Sequence, residues 1–142
     1  DVRRVDQSQF FLHFSNQGGS MPHAHPSALN TLFQGAKRWI ISDPKPWHAA
    51  KNKGQLEFRV GREFRFGERT FNTSLEWFEE AAQSIGFPHY DFVQLQGESV
   101  YVPNGYIHTS IDLCKHTVGA VLMGNILEEQ TVRNQKHSKQ DL

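Results

Sequence analysis

His23-Ala24-His25 places two imidazoles two positions apart, between the turn-forming cluster Gln17-Gly18-Gly19-Ser20 and a strand-like run. In extended backbone, residues i and i+2 point the same way, so both rings can face one point, as metal coordination requires. An H-x-H pair taken alone also fits two solvated or packing histidines. The chain has eight histidines but only one cysteine, Cys114. That count excludes an intramolecular disulfide and a multi-cysteine metal cluster. Cys114 itself, placed in an apolar strand pattern, is expected to be a core thiol.

The elements that must position these groups read mainly as short strands. Phe10, Phe11, Leu12 and Phe14 form an aromatic strand-like run. Residues 28–33 and 38–42 look like a hairpin around Gln34-Gly35-Ala36, and 43–53, with Pro44 and Pro46, reads as a surface loop carrying Trp47. Leu56, Phe58 and Val60, then Phe64 and Phe66, alternate with charged residues as in strands with one buried face. Thr73 and Glu76 have capping-box spacing, and Leu75, Phe78, Ala82 and Ile85 follow at helical intervals before Gly86 and Pro88. Strand signals return over 92–95, 100–102, 106–113 and 117–123. Seven or eight short strands with one inserted helix predict an all-β sandwich or barrel rather than a βαβ fold.

Composition bounds the class. A chain of 142 residues with eleven Phe, three Trp and three Tyr can fill one core. Fifteen basic residues balance fifteen acidic ones, so no overall field draws the protein to nucleic acid or an anionic membrane. The longest apolar stretch, near 118–123, is far short of the roughly 20 residues of a transmembrane helix. The chain begins at Asp1 without an initiator Met or a signal-type segment, as expected of a processed chain or a piece of a longer one. The expected layout is a domain over 9–126 and a polar tail over 127–142.

The segment Gly97-Glu98-Ser99-Val100-Tyr101-Val102-Pro103-Asn104-Gly105-Tyr106-Ile107-His108 resembles the C-terminal signature of JmjC domains. There a Gly-acidic turn, an apolar strand, Pro and an aromatic residue precede the last metal-ligating His. Upstream, His23-Ala24-His25, Asn30 and Gly35-Ala36-Lys37-Arg38-Trp39 look like the family's first half, H-x-D/E followed by Asn and G-x-K-x-W. The resemblance implies a double-stranded β-helix (cupin/JmjC jelly-roll barrel) holding Fe(II) or another divalent metal and 2-oxoglutarate. It also implies the residue roles: His23, His25 and His108 as metal triad, and Lys37 as the cation for the distal carboxylate of 2-oxoglutarate. Ser20, Asn30 and Asp112 fall where members place residues contacting that cosubstrate. For Lys37 the register matters. If Lys37, Trp39 and Ile41 face inward, the ammonium reaches the histidines' cavity, and a buried Lys then requires an anion or a nearby acid beside it.

One position departs from the pattern. Oxygenases of this class use two histidines and one carboxylate, whereas His25 stands at the carboxylate position here, and neither Asp43 nor Asp112 has the spacing to replace it. H-x-H, with twelve residues from His23 to Gly35, is similar to the endoplasmic-reticulum lumenal JmjC-domain-containing protein 8 group, as is Leu75-Glu76-Trp77. Asn72-Thr73-Ser74 fits an N-glycosylation acceptor, and Lys139-Gln140-Asp141-Leu142 resembles a K-D-E-L retrieval signal with two departures. The resemblance therefore implies an endoplasmic-reticulum lumenal glycoprotein. Two functions follow from it: a 2-oxoglutarate-dependent dioxygenase hydroxylating a protein or peptide, or a non-catalytic protein-binding module. A three-histidine dioxygenase that needs no 2-oxoglutarate would account for His25 but leave Lys37 without a purpose.

Overall fold

The computed structural model describes residues 9–16, 18–58, 64–82 and 86–124. Val60, Ile85, the 127–142 tail and its retrieval-like tetrapeptide lie outside them. The strands are β1 (Gln9–Ser15), β2 (Gly19–His23), β3 (Ala28–Gln34), β4 (Ala36–Ser42), β5 (Leu56–Phe58), β6 (Phe64–Phe66), β7 (Arg69–Phe71), β8 (Tyr90–Leu95), β9 (Ser99–Val102), β10 (Ile107–Asp112) and β11 (Thr117–Met123). The helices are α1 (Pro44–Asn52) and α2 (Ser74–Glu80). Two four-stranded antiparallel sheets, ordered β1-β11-β3-β9 and β2-β10-β4-β8, face each other as a double-stranded β-helix. A small third sheet, β5-β6-β7, stands beside them.

β3 and β4 are consecutive but do not form the expected hairpin: β3 pairs with β9 and β11, and β4 with β8 and β10. The chain crosses from one sheet to the other at Gly35, whose φ is +92° and where a Cβ would lie 2.9 Å from the His116 carbonyl oxygen. Only glycine meets both conditions without strain.

The 43–53 segment is also a helix rather than a loop. Asp43 caps it by accepting from the Lys45 backbone N–H. Pro44 and Pro46 fall in the first turn, where a missing N–H costs no helical hydrogen bond. Trp47 points into the core. At α2 the capping box of Thr73 and Glu76 is present, but Leu75 is exposed and the buried residues are Trp77 and Phe78, followed by Ala81 and Ala82. Cys114 lies in the turn between β10 and β11, half-buried, not in the core.

Alternation divides β4 and β10 between two interiors. Ile40, Ile107 and Ile111 face outward into an aromatic core with Trp47, Phe64, Phe71, Trp77 and Phe78 from the helices and the small sheet. Each such aromatic removes on the order of 150–250 Å² from water, and this is the larger of the two cores. Trp39 and Ile41 face the other way, against Val100 and Val102 of the opposite sheet. That inner core is small because polar side chains and a cavity occupy the rest of the space between the sheets.

Candidate metal centre and cosubstrate cavity

The inner row of β10 is His108, Ser110 and Asp112, and their register partners on β4 are Ile41, Trp39 and Lys37. Lys37 is therefore inward, and only 7% exposed. On the other side, β2 pairs His23 with His108 and Ser20 with Ser110. Ser20 and His23 are three residues apart, an odd spacing that would put them on opposite faces of a regular strand. A register shift between His108 and Ser110 inserts the extra residue on β2 and turns both inward.

His23, His25 and His108 converge, one ring nitrogen from each lying within 4.8 Å of the other two. Each ring has its Nδ1 held by a backbone carbonyl: His23 by Met21 at 2.7 Å, His25 by Pro26 at 2.6 Å and His108 by Tyr106 at 3.0 Å. A carbonyl only accepts, so each Nδ1 carries the proton and each Nε2 a lone pair. This is the orientation by outer hydrogen bonds that metal-ligating histidines show. The Nε2 atoms of His25 and His108 lie 2.9 Å apart. Two lone pairs so close repel unless a cation or a shared proton lies between them. Burial, with a smaller contribution from neighbouring His23, pushes the His108 pKa down to about 3, which disfavours the proton. His23 is likewise lowered, chiefly by burial. The donor set fits a divalent metal of the borderline class that imidazole binds. This group of possible ligands contains no carboxylate: Asp43 caps α1 and Asp112 lies beside Lys37.

The histidines open onto a cavity of about 240 Å³, lined among others by Phe11, Ser20, Asn30, Lys37, Trp39 and Ser110. Its volume is below the roughly 300–1,000 Å³ of sites for drug-sized ligands. Ser20 Oγ accepts from the Ser110 backbone N–H at 3.1 Å and lies 3.3 Å from Ser110 Oγ. Asn30 is buried, and its Oδ1 has no hydrogen-bond partner among the described residues. Trp39 is held beside His108 by its Nε1–H donating to Gln94, which in turn donates to the Asn30 and Glu98 carbonyls.

Lys37 Nζ lies 3.5 Å from Asp112 Oδ1 and 3.3 Å from His13 Nε2. The first distance makes an ion pair, longer than a well-formed charged hydrogen bond. Asp112 thus supplies the nearby acid a buried Lys requires, but it is not among the residues lining the cavity: it sits behind Lys37. Burial lowers the Lys37 pKa, and Asp112 opposes that shift. His13 was not legible as a site residue. It is a lone histidine in an aromatic strand, turned inward opposite Gly119, whose missing side chain leaves room for the imidazole. Ser110 was equally hidden, since hydroxyls are common in strands. Its only signal is the two-residue step from His108.

A double-stranded β-helix with histidines converging beside an internal cavity is the architecture of a metal-binding cupin. Residues 7–116, most of the chain, match the family described as JmjC domain, hydroxylase, and the chain belongs to that family. No match was found among curated proteins.

Among solved structures the chain is similar to dTDP-4-dehydrorhamnose 3,5-epimerase from Elizabethkingia anophelis NUHP1. That alignment has 16% identity and a TM-score of 0.46, and covers 82% of this chain and 49% of the other. RmlC from Streptococcus suis, in complex with dTDP-D-xylose, aligns at 16% identity and TM-score 0.47, over 83% and 44% of the two chains. An oxalate oxidase aligns at 13% and 0.43, over 82% and 42%. The chain spans less than half the length of each of these structures, and similarity at this level says nothing of ligand or reaction.

Proposed function

We propose that this JmjC domain binds a divalent metal, Fe(II) in the cell, through Nε2 of His23, His25 and His108. It takes 2-oxoglutarate into the adjoining cavity and acts as a protein or peptide hydroxylase or a close relative. The observation that carries the reading is the convergence of three carbonyl-oriented imidazoles on a cavity whose wall holds the buried cation Lys37. Bound iron would supply oxygen activation. The protein's own groups would bind and orient: Lys37 toward the distal carboxylate, Ser20 and Asn30 toward the rest of the cosubstrate, and Trp39 as an apolar wall that limits water. The proposed setting is the endoplasmic-reticulum lumen, supported by an exposed Asn72 at the glycosylation motif.

A second reading, a non-catalytic protein-binding module in the same compartment, is favoured by one observation. His25 stands where the oxygenase pattern has a carboxylate, which leaves one more positive charge at the metal. Metal analysis of protein purified without added metal, followed by calorimetric titration with 2-oxoglutarate, tests the binding claim. Succinate formation by wild type and His25→Asp then separates the two readings. Turnover that rises in the variant marks a competent oxygenase scaffold. Tight binding with no succinate from either protein favours the module.

A further inference from the structure

Lys37 is not a free cation waiting for an anion. It has three N–H donors, and two protein groups already surround it: the carboxylate of Asp112 and the imidazole of His13. Asp112 stands directly opposite Lys37 in the β4–β10 register, is 2% exposed in its side chain, and has Oδ1 without a hydrogen-bond partner among the described residues. The charged neighbour of this oxygen is Lys37 Nζ, at 3.5 Å. A ligand carboxylate reaching Lys37 from the cavity meets a cation whose charge is already offset, with a second carboxylate immediately behind it.

We propose that Asp112 is a specificity-determining residue. By neutralising Lys37 from behind, it removes the cavity's preference for a dicarboxylate and makes it a site for 2-oxo acids whose far end is either charged or neutral. This rests on the cosubstrate reading above. It also replaces the expectation that Asp112 contacts 2-oxoglutarate: an acidic side chain would oppose the distal carboxylate rather than bind it.

The test is calorimetric titration of Zn(II)-loaded protein with 2-oxoglutarate and with its 5-methyl ester, which keeps the length and the carbonyl acceptor but loses the distal charge. In wild type the two bind within about threefold of each other, whereas Asp112→Asn favours 2-oxoglutarate by about tenfold or more, the effect of one charge-assisted hydrogen bond. A wild-type preference of that size for 2-oxoglutarate overturns the inference. So does an Asp112→Asn protein that binds 2-oxoglutarate more weakly, since Asp112 would then be holding Lys37 in place for the ligand. If the variant does not fold, the wild-type ratio decides alone. If neither compound binds to metal-loaded wild type, the cosubstrate reading itself fails and takes this inference with it, a result distinct from equal ratios in two proteins that both bind.

Discussion

His25 and His108 face each other through their unprotonated Nε2 atoms at 2.9 Å, while their Nδ1 atoms are committed to the carbonyls of Pro26 and Tyr106. The two rings are anchored from behind, so neither can turn away without giving up a hydrogen bond to a main-chain oxygen. A cation between them converts a repulsive contact into two attractive ones.

Metal binding is accordingly expected to stabilise the fold. At a free Zn(II) concentration a hundred times its Kd, the gain is about 2.7 kcal/mol, several degrees in Tm for a domain of this size. Differential scanning calorimetry with and without metal measures it. His108→Ala should abolish the gain, and an equal gain in that variant would place the ion elsewhere.

Lys37→Ala is expected to weaken 2-oxoglutarate binding tenfold or more, since the far end of the ligand loses its hydrogen-bond donor. Removing Lys37 also leaves Asp112 buried and unopposed beside the ligand, which adds to the loss. Calorimetry decides, and unchanged affinity would take Lys37 out of the site.

The Lys37 cluster has a signature in the titration of His13. Burial, and then the positive charge of Lys37, hold its pKa below the usual histidine value of 6.5, while Asp112 pulls it the other way. Lys37→Met should therefore raise the His13 pKa and Asp112→Asn should lower it. Both shifts are readable from the imidazole resonances by NMR. A His13 that ignores both substitutions is not in contact with the pair in solution.

Trp77 sits at the centre of the outer core, with Phe64 at 5.0 Å and Phe66 and Phe71 at 5.6 Å between ring centroids. Trp77→Ala should cost about 3–5 kcal/mol, the usual range for a buried aromatic. Urea unfolding would show this as a lower midpoint, and a loss under 1 kcal/mol would mean that the helices contribute little to holding β10.

The parts of the fold that motif and alternation could reveal were legible. The two histidine-bearing segments and the inward set of β4 follow from spacing, because Trp39 and Ile41 are larger and more apolar than Arg38 and Ser42. Partnering of strands was not: nothing local distinguishes a β3–β4 hairpin from a crossover, since Gly35 suits both. α1 was hidden by Pro44 and Pro46, which read as breakers unless the helix start is known. β10 gave no alternation because all six of its residues are buried, one face by the cavity walls and the other by α2 and the outer core. The pairing of Lys37 with Asp112 spans 75 residues of chain and needs the register.

The inner rows of β4 and β10 also limit how the cavity can change. His108 marks its metal end, and Asp112, four positions along the same strand, is the register partner of Lys37 at its cation end. Because side chains alternate, that interval can grow or shrink only by two residues at a time, about 7 Å, unless a bulge of the kind β2 carries absorbs the odd residue. The reach between the two ends is thus quantised. Small variation among ligands must be absorbed by side-chain rotamers at Lys37 and by the β2 bulge, while a single-residue insertion or deletion in β10 that no bulge absorbs removes one end of the site altogether.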